Sequence, residues 1–115
     1  MTPLYGIANC DTVRKARRWL LDHGHEVSFH DYRKAGLDGA LLDGFIDTFG
    51  WEALVNRRGT TWRKLDAEVR ENIDGDVARR LMLENPSLIK RPILIHDGQP
   101  LIGFREDEYR DTLGG

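Results

Sequence analysis

The first 32 residues of this chain read as strand, helix, strand, and that spacing limits the fold more than any other feature of the sequence. Leu4 to Ile7 is a short apolar run led by Pro3, a residue tolerated at the first position of a strand. From Asp11 to Asp22, Val13, Ala16, Leu20 and Leu21 recur at helical spacing. Arg14, Lys15, Arg17 and Arg18 fill the rest of that helix as a solvated basic face. Gly24 supplies the residue just past its end. Glu26 to Tyr32 alternates, with Val27, Phe29 and Asp31 on one face, which predicts a second strand. Two strands joined by one helix within about 30 residues form a right-handed βαβ unit with parallel strands.

The pattern then turns helical from Asp38 to Asn85. Leu37, Leu41, Leu42, Phe45, Ile46 and Phe49 make an apolar stripe, with Asp38 as its cap and Gly50 as its stop. After the polar segment Asn56 to Thr60, Thr61 is expected to cap a short helix carrying Trp62, Leu65 and Val69. A further helix is expected from about Asp76, its N-cap, to Glu84, stopped by Asn85-Pro86. The end of the chain returns to β structure. Ile93 to His96 is a strand, Asp97-Gly98 a hairpin turn, and Leu101 to Phe104 the returning strand, which Pro100 places at an edge. A last helix, about Glu106 to Leu113, precedes Gly114-Gly115. The order is β-α-β, a helical insertion at about 38–85, then β-β-α, with no linker or repeat dividing it, so a single α/β domain over 1–115 is expected.

Composition narrows the function classes. A net charge of −2 gives no general attraction to nucleic acid. No apolar run approaches the roughly 20 residues that span a bilayer, and the N-terminus carries no basic-then-apolar leader, so a cytoplasmic protein without membrane partners is expected. His23, His25, His30 and His96 lie in no metal-ligand spacing. Trp19, Trp51 and Trp62 are expected to pack rather than to form a binding platform.

Cys10 is the only cysteine, so the chain has no internal disulfide and no cysteine-rich metal site. It stands in the loop where the first helix begins. There, free backbone N–H groups and the positive end of the helix dipole favour thiolate over thiol. Most lone cysteines are inert buried hydrophobes, and helix-head placement is what sets this one apart. Val13 occupies the position three after Cys10, so a dithiol Cys-x-x-Cys cycle is impossible and any resolving thiol must come from outside.

Three segments carry a resemblance over essentially the whole chain: Tyr5-Gly6-Ile7-Ala8-Asn9-Cys10-Asp11-Thr12, Leu54-Val55-Asn56-Arg57-Arg58-Gly59-Thr60, and Lys90-Arg91-Pro92-Ile93-Leu94. Together with the element order they resemble the arsenate reductase-related (ArsC-like) family of thioredoxin/glutaredoxin-like proteins, the Spx and YffB group, and most closely its YffB branch. The resemblance implies that Cys10 is the nucleophile, that Pro92 is the proline facing it, and that Arg91 and Arg105 bind an anionic or disulfide substrate. Asn9 and Arg14 beside the thiol, and Arg57 and Arg58 in the insertion, complete the candidate binding set. The insertion arginine of the arsenate reductases falls at Asn56 when Trp62 is aligned, so Arg57 and Arg58 lie beside that register. The implied activity is a monothiol thiol reductase with glutathione as co-substrate and no bound cofactor or metal. Glutaredoxin is a further implied partner, and a monomer is expected. Arsenate reduction and Spx-like regulation through RNA polymerase are the alternatives.

Overall fold

The computed structural model describes residues 2–96 and 98–114. Asp97 of the expected hairpin turn and Gly115 lie outside them. The chain forms two compact units, one from residues 1–35 and 91–115, the other from residues 36–90. The helical insertion expected at about 38–85 falls within the second.

The first unit is a four-stranded sheet of order β2-β1-β3-β4, built from β1 (Thr2–Gly6), β2 (Val27–Asp31), β3 (Ile93–His96) and β4 (Gln99–Ile102). β1 pairs parallel with β2 and antiparallel with β3, and β3 pairs antiparallel with β4. This mixed sheet and its element order are those of the thioredoxin-like fold. Helix α1 (Asp11–Asp22) connects β1 to β2, and α7 (Glu106–Leu113) follows β4. Leu4 and Leu94 of the two central strands meet Ala16, Trp19 and Leu20 of α1 and Tyr109 of α7 in one buried cluster. Val27, Phe29, Leu101, Phe104 and Leu113 close around it, so both helices pack on one face of the sheet. Burying each such large apolar side chain is worth about 1.5–3 kcal/mol.

Helix α1 spans the residues its apolar spacing predicts, and Gly24 follows it with φ +76°. The strands differ from expectation in their limits. β1 starts at Thr2, whose N–H donates to the Glu26 carbonyl, so Pro3 is the second residue of the strand rather than its lead. It stops at Gly6 because the Ile7 carbonyl turns to accept the Cys10 N–H. β4 runs Gln99–Ile102 rather than Leu101–Phe104, since Gly103 adopts φ +77° and donates to the Pro92 carbonyl. Pro100 does sit on an edge strand.

In the second unit Asp38 caps α2 (Gly39–Phe49) by accepting the Ala40 N–H, and Gly50 closes it at φ +84°. α3 (Trp51–Leu54) follows. The single helix expected from Thr61 is two pieces, α4 (Thr60–Arg63) and α5 (Ala67–Glu71). The break falls before α5, whose N-cap residue Asp66 leaves the helical backbone at ψ 142° and makes no side-chain cap; aspartate is disfavoured in a helix interior. α6 (Gly75–Glu84) is capped by Asp74, whose carboxylate accepts the Val77 N–H, rather than by Asp76. Asp76 lies inside the first turn, where its charge suits the helix dipole. A short turn of 3-10 helix, Pro86–Leu88, leads to Ile89, which bridges Val55. Leu42, Phe45, Leu54, Leu81, Met82 and Leu88 are among the buried apolar residues of this unit.

One contact in the first unit decides how closely α1 sits on the sheet. A Cβ at Gly6 would come within 2.9 Å of Val13 Cγ2, and Val13 is fully buried. Gly6→Ala is therefore expected to cost about 1–3 kcal/mol through overpacking. Urea unfolding checks this: the midpoint should fall without a change in the slope of the transition.

Candidate active site around Cys10

Three backbone–backbone bonds and one to a side chain fix the loop between β1 and α1. The Cys10 N–H donates to the Ile7 carbonyl at 3.2 Å, and the Arg14 N–H donates to the Cys10 carbonyl at 2.9 Å. The second bond makes Cys10 the N-cap of α1, in extended conformation. At the start of the loop, the Ala8 N–H donates to Asp31 Oδ2 at 3.0 Å. Behind it, the Tyr32 N–H donates to the Gly6 carbonyl at 3.2 Å. A thiol at the N-cap stands before the unpaired N–H groups of the first helical turn.

Cys10 is partly buried, and burial pushes its pKa up. Opposing it are the Val13 N–H, then a hydrogen bond and the charge of the Arg91 guanidinium, then the Thr12 N–H. The donors prevail and hold the thiol below its ordinary pKa. Arg91 precedes the cis peptide bond to Pro92, and Pro92 is buried at the head of β3.

The other predicted residues are placed differently. Arg14 braces the loop: its Nη2 donates to the Asn9 carbonyl at 3.0 Å and lies 3.3 Å from Asp11. Asn9 is exposed beside the thiol. Arg105 is the N-cap residue of α7 and its guanidinium is turned to Asp107 at 3.5 Å. Arg57 and Arg58 belong to the second unit. There the Arg57 guanidinium lies 5.5 Å from the centroid of the Trp62 ring, and the Arg58 N–H donates to Asn56 Oδ1 at 3.1 Å. A groove of about 760 Å³ lined by Arg17, Arg18, Leu21, His25, Val27 and Phe29 runs along the later half of α1, away from the thiol at its start. Among the described residues no group of three or more His, Cys, Asp or Glu side chains could hold a metal ion. Nor is any helix of the described residues long and apolar enough to cross a membrane.

Two residues joined to the site were not among the sequence candidates. Asp31 accepts from the N–H groups of Ala8, Arg33 and Lys34, each at 3.0 Å. Burial opposes its charge, but the Ala8, Lys34 and Arg33 donors outweigh it and keep the carboxyl below its usual range. Tyr32 is buried, and its phenol accepts a hydrogen bond from Arg91. Burial first, and the nearby Cys10 charge after it, raise the Tyr32 pKa against the pull of Arg91, so the phenol stays neutral. The signal for Asp31 was present in sequence as an aspartate at a strand end beginning a polar turn.

A thiol held below its ordinary pKa at the head of the first helix, beside the arginine before the third strand, defines a thioredoxin-fold protein with a single candidate active-site cysteine. The particular family follows from comparison: the model of the ArsC family matches residues 5–112, and the chain belongs to that family. A YffB protein of known structure superposes with a TM-score of 0.91 at 44% identity, covering 98% of this chain and 99% of that one. The solution structure of an arsenate reductase (ArsC) related protein from Brucella melitensis gives a TM-score of 0.82 at 52% identity, covering 97% of this chain and 93% of that one. The global transcriptional regulator Spx of Streptococcus pyogenes is 33% identical over 115 residues, spanning 98% of this chain and 85% of its own length.

Two titrations check this electrostatic account. Thiolate absorbance against pH should show Cys10 ionising below a free cysteine, and Arg91→Ala should move the transition upward and slow alkylation severalfold at neutral pH. An unshifted transition in both proteins would return Cys10 to ordinary packing. For Asp31 the sign runs with a depressed carboxyl. Its stabilisation is complete above the unfolded carboxylate pKa and is lost as pH falls through the lower native value. Urea midpoints of the parent and Asp31→Asn should accordingly differ at neutral pH and converge in acid.

Proposed function

We propose that this protein is a monothiol reductase that works with glutathione. The observation that carries the reading is the solitary, activated sulfur: Cys10 is the only cysteine, and Arg91 and the first turn of α1 favour its thiolate. In the proposed cycle the Cys10 thiolate attacks one sulfur of a disulfide formed between glutathione and a substrate thiol. That S–S bond breaks, the substrate leaves as a thiolate, and Cys10 holds the glutathionyl group. A second glutathione thiolate then attacks the glutathionyl sulfur, releasing glutathione disulfide and restoring the Cys10 thiolate. The substrate sulfur is reduced from the disulfide to the thiolate level and the incoming glutathione sulfur is oxidised from thiolate to disulfide, while the transferred glutathionyl sulfur stays at the disulfide level; one glutathione is consumed per turnover, and no second protein sulfur takes part. Arg91 supplies a fixed cation with a planar donor fork, suited to the carboxylates of glutathione. A glutaredoxin could serve in place of the second glutathione.

Two relatives of the same family frame the alternatives. Arsenate reduction would use the same nucleophile, but Asn56 occupies the register of the insertion arginine. Similarity to the global transcriptional regulator Spx over 98% of the chain supports the other alternative, a transcriptional regulator, which would act through RNA polymerase. With Val13 three residues after Cys10, such a regulator would lack a dithiol switch.

The deciding measurement is turnover of a glutathionylated peptide or a small mixed disulfide, with glutathione and glutathione reductase as the readout. The parent should turn over and Cys10→Ser should fall to the uncatalysed rate. Arg91→Ala should lose about tenfold or more in kcat/KM, as expected when a nucleophile loses its charge-assisted partner. Equal rates for the parent and Cys10→Ser would overturn the reading. Arsenate in the same assay, and a pulldown of RNA polymerase subunits, test the alternatives directly.

A further inference from the structure

Asp31 and Tyr32 are consecutive, yet they reach the site by different routes. The Asp31 carboxylate ends β2 and gathers three backbone N–H groups, two in its own turn and one from Ala8 in the thiol loop. Only the Ala8 bond joins separate stretches of chain, 23 residues apart. Ala8 lies two residues before Cys10, and the Ile7 carbonyl before it receives the Cys10 N–H. A carboxylate bound to Ala8 thus holds the segment that sets where the sulfur stands. Tyr32 turns the other way. Its N–H is fixed to the Gly6 carbonyl, its ring is buried, and its phenol oxygen accepts from the Arg91 guanidinium, which donates in turn to Cys10. Arginine has donors only, so a neutral acceptor behind it can aim the guanidinium without cancelling its charge.

We propose that Asp31 and Tyr32 are a paired positioning device for the Cys10 thiolate. Asp31 ties the thiol loop to the end of β2, and Tyr32 holds Arg91 against the sulfur. Neither touches the substrate; each acts through a neighbour. The inference deepens the reductase reading and rests on it for its functional meaning, but its physical content is the ionisation of Cys10, which is measured without any substrate.

The test titrates Cys10 by the pH dependence of iodoacetamide alkylation in Asp31→Asn, Asp31→Ala, Tyr32→Phe, Arg91→Ala and the double variant Tyr32→Phe/Arg91→Ala. Asp31→Ala and Tyr32→Phe should each slow alkylation at neutral pH by about two- to tenfold, the worth of one hydrogen bond that orders a charged site. The whole titration should shift upward in each. Asp31→Asn keeps an acceptor oxygen and should show a smaller effect. Tyr32→Phe should add nothing once Arg91 is gone, because its influence passes through that guanidinium. Circular dichroism and thermal unfolding identify any variant that does not fold; Tyr32→Phe and Asp31→Asn, which conserve shape, then carry the test. Unchanged thiol titrations in the folded variants would overturn the proposal, as would an undiminished Tyr32→Phe effect without Arg91. If the titrations shift as expected while the parent shows no glutathione-dependent turnover, the reductase reading fails and the positioning device stands. The reverse pair of results would retain the reductase and reject the device.

Discussion

Everything at the site depends on how tightly the first turn of α1 lies on the end of β1. Gly6 makes that approach possible, since any side chain there would run into Val13. Val13 is buried as part of the core and also presents its N–H toward the sulfur. One residue therefore serves packing and electrostatics together, and the thiol cannot be moved without disturbing the core. A loop of four residues, Ile7 to Cys10, leaves little freedom between strand and helix, and hydrogen bonds use much of what remains.

The ionisation of Cys10 is set by a balance of opposed effects rather than by one strong interaction. Partial burial disfavours charge, while helical N–H groups and one guanidinium favour it. Each pKa unit of net advantage corresponds to about 1.4 kcal/mol, comparable to a single good hydrogen bond. The position of each donor therefore bears on the balance. This is why residues remote from the sulfur in contact terms, such as Asp31, belong to the description of the site.

The sequence made the local parts of this arrangement readable. α1 came out with its full span because apolar spacing, basic outer face and Gly24 all agreed, and Asp38 and Gly50 bounded α2 in the same way. Where two neighbouring residues could serve one purpose, the pattern was ambiguous: Asp74 and Asp76 both suit a helix start, and only backbone geometry selects the first. The break at Asp66 depends on a local preference that the stripe of Trp62, Leu65 and Val69 concealed. At the site, Cys10 and Arg91 were legible because fold order pairs the first helix with the third strand. The local turn of Asp31 had a signal in the chain, but its bond to Ala8, like the Tyr32 phenol's to Arg91, is a tertiary contact that leaves no periodicity. The turn of Arg105 toward Asp107 is likewise a contact with no pattern in the chain.

The donors that gather on Cys10 also have a thermodynamic meaning for the whole first unit. An anion favoured by the native state is lost when the sulfur is capped in a mixed disulfide, and its share of folding free energy is lost with it. That contribution belongs to the free thiolate alone. In the proposed cycle, release of the cap by an incoming thiol restores it. Donors that favour the Cys10 thiolate in attack favour it equally as the sulfur that departs.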